Sequence, residues 1–224
     1  MSRFWIFFII ICLGDIVGRL LNNFYIDVVF KPLLMPTLMG YVYLQTAPHF
    51  GKFPRLLLVS LFFSWWGDIF LLFDSPPFFM LGLGCFLLAH IFYIILFQRI
   101  STTAEQSAWL KANYWAVTPF LLYIIVFYSQ MYPKLNVMAL PVLVYSITIA
   151  LMALMALYLY KTINNWAFQR IFFGALLFVI SDSFIGFNRF IYTFESASVL
   201  IMLTYIAGQT LITIGVVSLQ QKNL

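Results

Sequence analysis

Long apolar runs separated by short polar breaks fill the chain from end to end. A helix needs about 20 apolar residues to cross a bilayer. On that ruler the pattern predicts eight spans, roughly 4–21, 32–46, 55–73, 78–98, 114–131, 136–160, 168–187 and 198–219. The second is short and carries Pro32 and Pro36, so its start is the least defined. Turn chemistry divides the others at Asp74-Ser75-Pro76-Pro77, Tyr132-Pro133-Lys134, Asn164-Asn165 and Thr193–Ser196. Only residues 99–113 read as a connection with soluble character. The first run has one early cation, Arg3, but no small-residue cleavage site, and Asp15 interrupts it. It therefore reads as a membrane helix, not a cleaved leader. The expected fold class is all-α, a polytopic membrane helical bundle of about eight transmembrane helices, forming a single integral-membrane domain over 1–224.

Composition supports this pattern. The 224 residues are 64% hydrophobic and 8% charged, with a mean hydropathy of +1.00. A soluble domain is about 45–50% apolar and about 25% charged. That excludes a soluble enzyme, a disordered regulator and a nucleic-acid-binding domain. The net charge of +5 comes from cations placed singly at the ends of apolar runs, so no nucleic-acid partner is implied. Such cations set orientation instead. With eight spans, Arg3, Lys52, Arg55, Arg99, Lys111, Lys161, Arg170 and Lys222 fall on the side of the N-terminus. Arg19, Lys31, Lys134 and Arg189 fall on the other. The balance places both termini in the cytoplasm, and the expected location is a bacterial inner (cell) membrane. Cys12 and Cys85 lie inside apolar runs without CxxC spacing, which provides neither a disulfide framework nor a zinc site.

Three carboxylates interrupt the spans: Asp15, Asp68 and Asp182. Each costs about 2.5–3.5 kcal/mol near a helix centre, so they should face the bundle interior or a wet cavity. Asp15 and Arg19 are four residues apart on one helix, and a local ion pair accounts for both. Asp68 and Asp182 have no cation three or four residues away. Counting helical rise from Phe73 and Phe187 puts each roughly 8 Å beneath one face, and His90 about 18 Å down from Phe78. Lys31, Asn188 and Arg189 are expected at that same face. Aligning Asp68 with Asp182 also matches Phe70 with Phe184 and Phe73 with Phe187, a faint parallel repeat of four helices plus four. His90, with no second ligand at metal spacing, reads equally well as a core histidine. Lys31 and Arg189 read equally well as interface anchors. The abundant Phe and Tyr read as lipid-facing and interfacial packing.

Four segments carry a family resemblance. They are Lys31-Pro32-Leu33, Gly67-Asp68-Ile69-Phe70-Leu71-Leu72, the run from Gly82 to Tyr93 around His90, and the run from Ser181 to Phe190. In this order, with eight short-looped spans, the chain resembles the YhhN-like family, which includes the animal lysoplasmalogenases. The resemblance implies hydrolysis of the vinyl-ether bond of a lysoplasmalogen lipid, giving a fatty aldehyde and a glycerophospho-head-group. It singles out Asp68 and Asp182 as catalytic and Lys31, His90, Asn188 and Arg189 as substrate-binding, with a lipid substrate and no metal or organic cofactor. The chemistry suits these residue types. A vinyl ether hydrolyses by protonation of its alkene carbon, giving an oxocarbenium ion that water captures. Two neighbouring carboxyl groups in apolar surroundings do not both ionise, so one would hold the proton while the other steadies the cation. Lys31 and Arg189 at the mouth would hold the lipid phosphate. The alternative is a proton-coupled transporter or channel, because proton relays also place Asp and His inside membranes.

Overall fold

The computed structural model describes residues 2–47, 51–101 and 113–221, among which there is no strand. The helices are α1 (Ser2–Leu20), α2 (Phe24–Thr46), α3 (Lys52–Phe70), α4 (Pro76–Ile100), α5 (Thr118–Leu135), α6 (Ala139–Leu157), α7 (Asn165–Phe190) and α8 (Ala197–Gln221). Most of the connection expected over 99–113, with Lys111 in it, lies outside the described residues, as does Lys222. Among the described residues five segments are long and apolar enough to cross a membrane: α3, α4, Tyr114–Leu157, α7 and α8 to Gln220. The 44-residue stretch Tyr114–Leu157 contains both α5 and α6. Residues such as Ile6, Ile10, Leu13, Leu122, Ile125 and Val126 are more than half exposed. An apolar surface of this extent is what a protein presents to lipid rather than to water.

Most helix ends differ from the sequence reading by up to four residues, and two differences bear on the site and the turns. α2 begins at Phe24, eight residues before the predicted start. Asn23 caps it, its side chain accepting from the backbone N–H of Tyr25 and Ile26 at 3.1 and 3.4 Å. Both prolines lie inside the helix. Pro36 has no N–H to give the carbonyl of Pro32, which leaves that acceptor open. The indole N–H of Trp65 on α3 fills it at 2.9 Å, so the break in the ladder becomes a tie between helices. In consequence Lys31, expected at the membrane face, is two turns inside a helix. The second difference is the turn between α5 and α6. Tyr132-Pro133-Lys134 stays helical, and the chain reverses at Asn136, whose φ of 45° lies in the left-handed region that Asn tolerates.

A continuous core runs through the bundle, including Leu34 and Leu38 of α2, Leu61 of α3, Tyr93 of α4, Phe178 of α7 and Ile212 of α8. α7 and α8 approach backbone to backbone at Gly174 and Gly208. A methyl at Gly174 would lie 2.8 Å from the Gly208 carbonyl oxygen. Small residues at a crossing allow such an approach in membrane bundles. Within this core are two polar stripes at four-residue steps: Ser60, Ser64 and Asp68 on α3, and Tyr205, Gln209 and Thr213 on α8. That step keeps each stripe on one helix face.

Candidate active site

Asp68 ends the α3 stripe and is 2% exposed. Its Oδ2 accepts the Tyr205 hydroxyl of α8 at 2.7 Å. The Lys31 ammonium of α2 is 3.9 Å from Oδ1, close enough for an ion pair and too far for a direct hydrogen bond. One turn deeper the two stripes join. The Gln209 amide donates to Ser64 Oγ at 2.9 Å and accepts from the Tyr93 hydroxyl of α4. Asp68 of α3 is thus held from two other helices, α2 and α8, and neither contact is local.

Asp182 lies on α7 and is 7% exposed. Its Oδ2 accepts the Tyr145 hydroxyl of α6. The His90 Nε2 of α4 is 3.6 Å from the same oxygen, beyond hydrogen-bond distance. Neither ring nitrogen of the fully buried His90 has a hydrogen-bond partner among the described residues. The next residue, Ser183, shares a 2.9 Å hydrogen bond with the Tyr123 hydroxyl of α5. Phe178 lies between the two groups, its ring centroid 4.7 Å from that of His90 and 5.4 Å from that of Tyr205.

One space opens at Asp182 and a second adjoins it, reached from Asp68 only through its partner Lys31. A cavity of about 40 Å³ is lined by Asp182, Tyr145 and apolar side chains, among them Leu71, Phe79 and Ile185. The same three side chains also line a basin of about 490 Å³ that carries Arg19, Lys31, Asp74, Asn188 and Arg189. Three cations line this basin, each with a carboxylate partner, Arg19 with Asp15, Lys31 with Asp68 and Arg189 with Asp74, and their remaining N–H donors suit it to an anion such as a phosphate. Arg189 is 3.2 Å from Asp74 and its guanidinium is 4.9 Å from the Phe79 ring centroid. Asn188 Oδ1 accepts from the Phe194 backbone at 3.3 Å, bracing the loop after α7. Among the described residues no three His, Cys, Asp or Glu side chains converge.

The residues singled out in the sequence thus fall into three places. Asp182 with His90 forms one buried group, Asp68 with Lys31 another, and Asn188 with Arg189 lines the basin. The depth count separated His90 from Asp182 by about 10 Å, yet they touch. Rise counted from each helix's own end does not give relative depth when the ends are staggered. Even from the observed ends, Phe190 of α7 and Pro76 of α4, the count gives about 12 Å for Asp182 and about 21 Å for His90, so the ends themselves stand at different heights. Asp15 makes the expected local pair, both oxygens accepting from Arg19 at 3.1 and 3.3 Å. Arg19 also lines the basin, which the sequence did not indicate. Tyr25, Tyr114 and Tyr192 are exposed, in keeping with interfacial packing, but three other tyrosines depart from it. Tyr145 and Tyr205 hold the two carboxyls, and Tyr93 is fully buried. A signal was available: Tyr205, Gln209 and Thr213 form a polar stripe that lipid would not tolerate.

Comparison with known proteins bears on what this arrangement does. The family model described as "YhhN family" matches residues 26–216. A protein of Mycobacterium bovis named lysoplasmalogenase is 32% identical over 166 residues, which cover 74% of this chain and 61% of that protein. The human lysoplasmalogenase TMEM86A is 30% identical over 165 residues, 72% of this chain and 65% of the human one. The chain therefore matches less than two thirds of the length of these relatives. No solved structure matches it.

Proposed function

The chain belongs to the YhhN family, and from that premise we propose that it is a membrane-embedded hydrolase that cleaves the vinyl-ether bond of lysoplasmalogens, using Asp68 and Asp182. The observation that carries the reading is the pair of carboxyls on separate helices. Each accepts a tyrosine hydroxyl, both are withdrawn from lipid, and one lines a cavity beneath a cationic basin.

Asp182 is the proton donor in this scheme. It reaches the cavity, and the only basic group within 4 Å of it among the described residues is the His90 ring. A buried carboxyl without a cation is cheaper to keep neutral than charged. Asp68, beside Lys31, is the anion. The Asp182 proton passes to the alkene carbon remote from oxygen, using the C=C electron pair. The positive charge left on the neighbouring carbon and the ether oxygen is steadied by Asp68. Water bonds to that carbon and returns one proton to the carboxyl pair. The resulting hemiacetal breaks its bond to the glycerol oxygen, which takes the hemiacetal hydroxyl proton and leaves the aldehyde. One water is consumed, and the pair ends as it began. Lys31, Arg19 and Arg189 hold the head-group phosphate, and Asn188 shapes the basin. His90 packs behind Asp182.

The finer architecture belongs to the same proposal: eight crossings, both termini cytoplasmic and two four-helix halves. In support, α1–α2, α2–α3 and α3–α4 pack in series as α5–α6, α6–α7 and α7–α8 do, and α4–α6 is matched by α2–α8. The decisive experiment is aldehyde release from a lysoplasmalogen by the purified protein, with Asp182→Asn and Asp68→Asn alongside. Full activity in both variants would refute the mechanism.

A further inference from the structure

We propose that the hydrocarbon chain of the substrate lies in a lateral groove between α4 and α6 and that Gly84 sets how it is accepted. The proposal rests on the hydrolase reading above. The inner cavity of about 40 Å³ has room for little more than the reacting linkage, so the rest of a lipid must leave it. Two spaces share lining residues with it. One is the cationic basin, through Leu71, Phe79 and Ile185. The other is an apolar groove of about 290 Å³ on the flank of the bundle, through Leu83 and Tyr145. Tyr145 is thus the wall between groove and cavity, and its hydroxyl is the one bound to Asp182.

Basin, carboxyl and groove therefore stand in the order of a single-chain amphiphile: charged head, linkage, alkyl chain. A larger apolar groove of about 610 Å³ lies between α5, α6 and α7. It shares no lining residue with the inner cavity, so a chain lying there would not bring its linkage to Asp182.

Gly84 lies on the groove face of α4 between Leu83 and Leu87. A Cβ there would meet no atom within 4 Å, whereas one at Gly67 or Gly82 would strike the side chain of Phe86 or Leu71. A large side chain at position 84 therefore fills the groove without displacing the protein. Gly40 on α2 is equally open and lines none of these spaces, which makes it the matched control.

The test compares wild type, Gly84→Phe and Gly40→Phe on lysoplasmalogens with long and short alkenyl chains. The expected result for Gly84→Phe is a KM at least tenfold higher for the long chain, with kcat for the short chain within twofold of wild type. Gly40→Phe should match wild type on both. An unchanged long-chain KM in Gly84→Phe overturns the groove assignment. Wild type that releases no aldehyde overturns the hydrolase reading instead. A photoreactive lysophospholipid with its crosslinker in the alkyl chain then tests the groove without turnover, and it also serves if Gly84→Phe fails to accumulate. Crosslinks to residues 80–87 or 140–145 support the groove. Crosslinks confined to 115–123 or 168–179 refute it.

Discussion

Asp68 and Asp182 are both buried, both lie on long helices and both accept a tyrosine hydroxyl, yet their surroundings are opposite in kind. Asp68 is tied to Lys31 and continues into the Ser64–Gln209–Tyr93 network. Asp182 faces His90, which makes no hydrogen bond, and a small cavity. One is an ionic centre that couples four helices and meets the basin through Lys31. The other is a carboxyl kept next to open space. The difference teaches that two aspartates of similar sequence context can end in opposite surroundings, one beside a cation and the other beside open space, which is the asymmetry the proposed mechanism uses.

The strongest way to break this comparison is to remove the carboxyls separately. Asp182→Asn keeps the shape and should lower aldehyde release by about 10²–10⁴-fold, the range for a lost general acid, with little change in thermal stability in detergent. Asp68→Asn should also lose activity, but it leaves the Lys31 charge buried and unpaired. That costs about 3–5 kcal/mol, which a melting curve would register. Equal melting temperatures for the two variants would erase the asymmetry. Lys31→Met should destabilise by a similar amount, and the double variant with Asp68→Asn should recover most of it. Additive losses would mean the 3.9 Å contact carries no coupling.

Smaller changes sharpen the contrast. Tyr145→Phe and Tyr205→Phe each remove one hydrogen bond to a carboxyl, costing stability on the order of 1–3 kcal/mol. Only Tyr145→Phe should shift the ratio of long-chain to short-chain turnover, because only Tyr145 borders the groove. The smallest effect is expected for Arg189→Ala. Its partner Asp74 is 94% exposed, so stability should change by less than about 1 kcal/mol, while KM for a phosphate-bearing substrate rises.

Much of this was legible before any coordinates. Apolar runs near 20 residues determine an all-helical membrane protein, because a backbone in lipid must satisfy its own hydrogen bonds. The cost of a carboxylate in hydrocarbon marked Asp68 and Asp182, and the four-residue step paired Asp15 with Arg19. The start of α2 was not legible, because Pro32 and Pro36 look like breakers until Trp65 takes up the open carbonyl. The polar stripe of α8 marked Tyr205, but the role of Tyr145 was hidden, since an isolated Tyr in a membrane sequence looks the same at an interface as in a core.

The division follows from the range of the forces involved. Residue type and run length alone determined that this chain enters a bilayer and that its acidic groups must turn inward, because those costs are local. Only the packed bundle decided which partner each acid meets. Tyr205 and Asp68 are 137 residues apart and Tyr145 and Asp182 are 37 apart. Contacts at that separation come from helix crossings such as Gly174 against Gly208, where the absence of two side chains brings α7 onto α8.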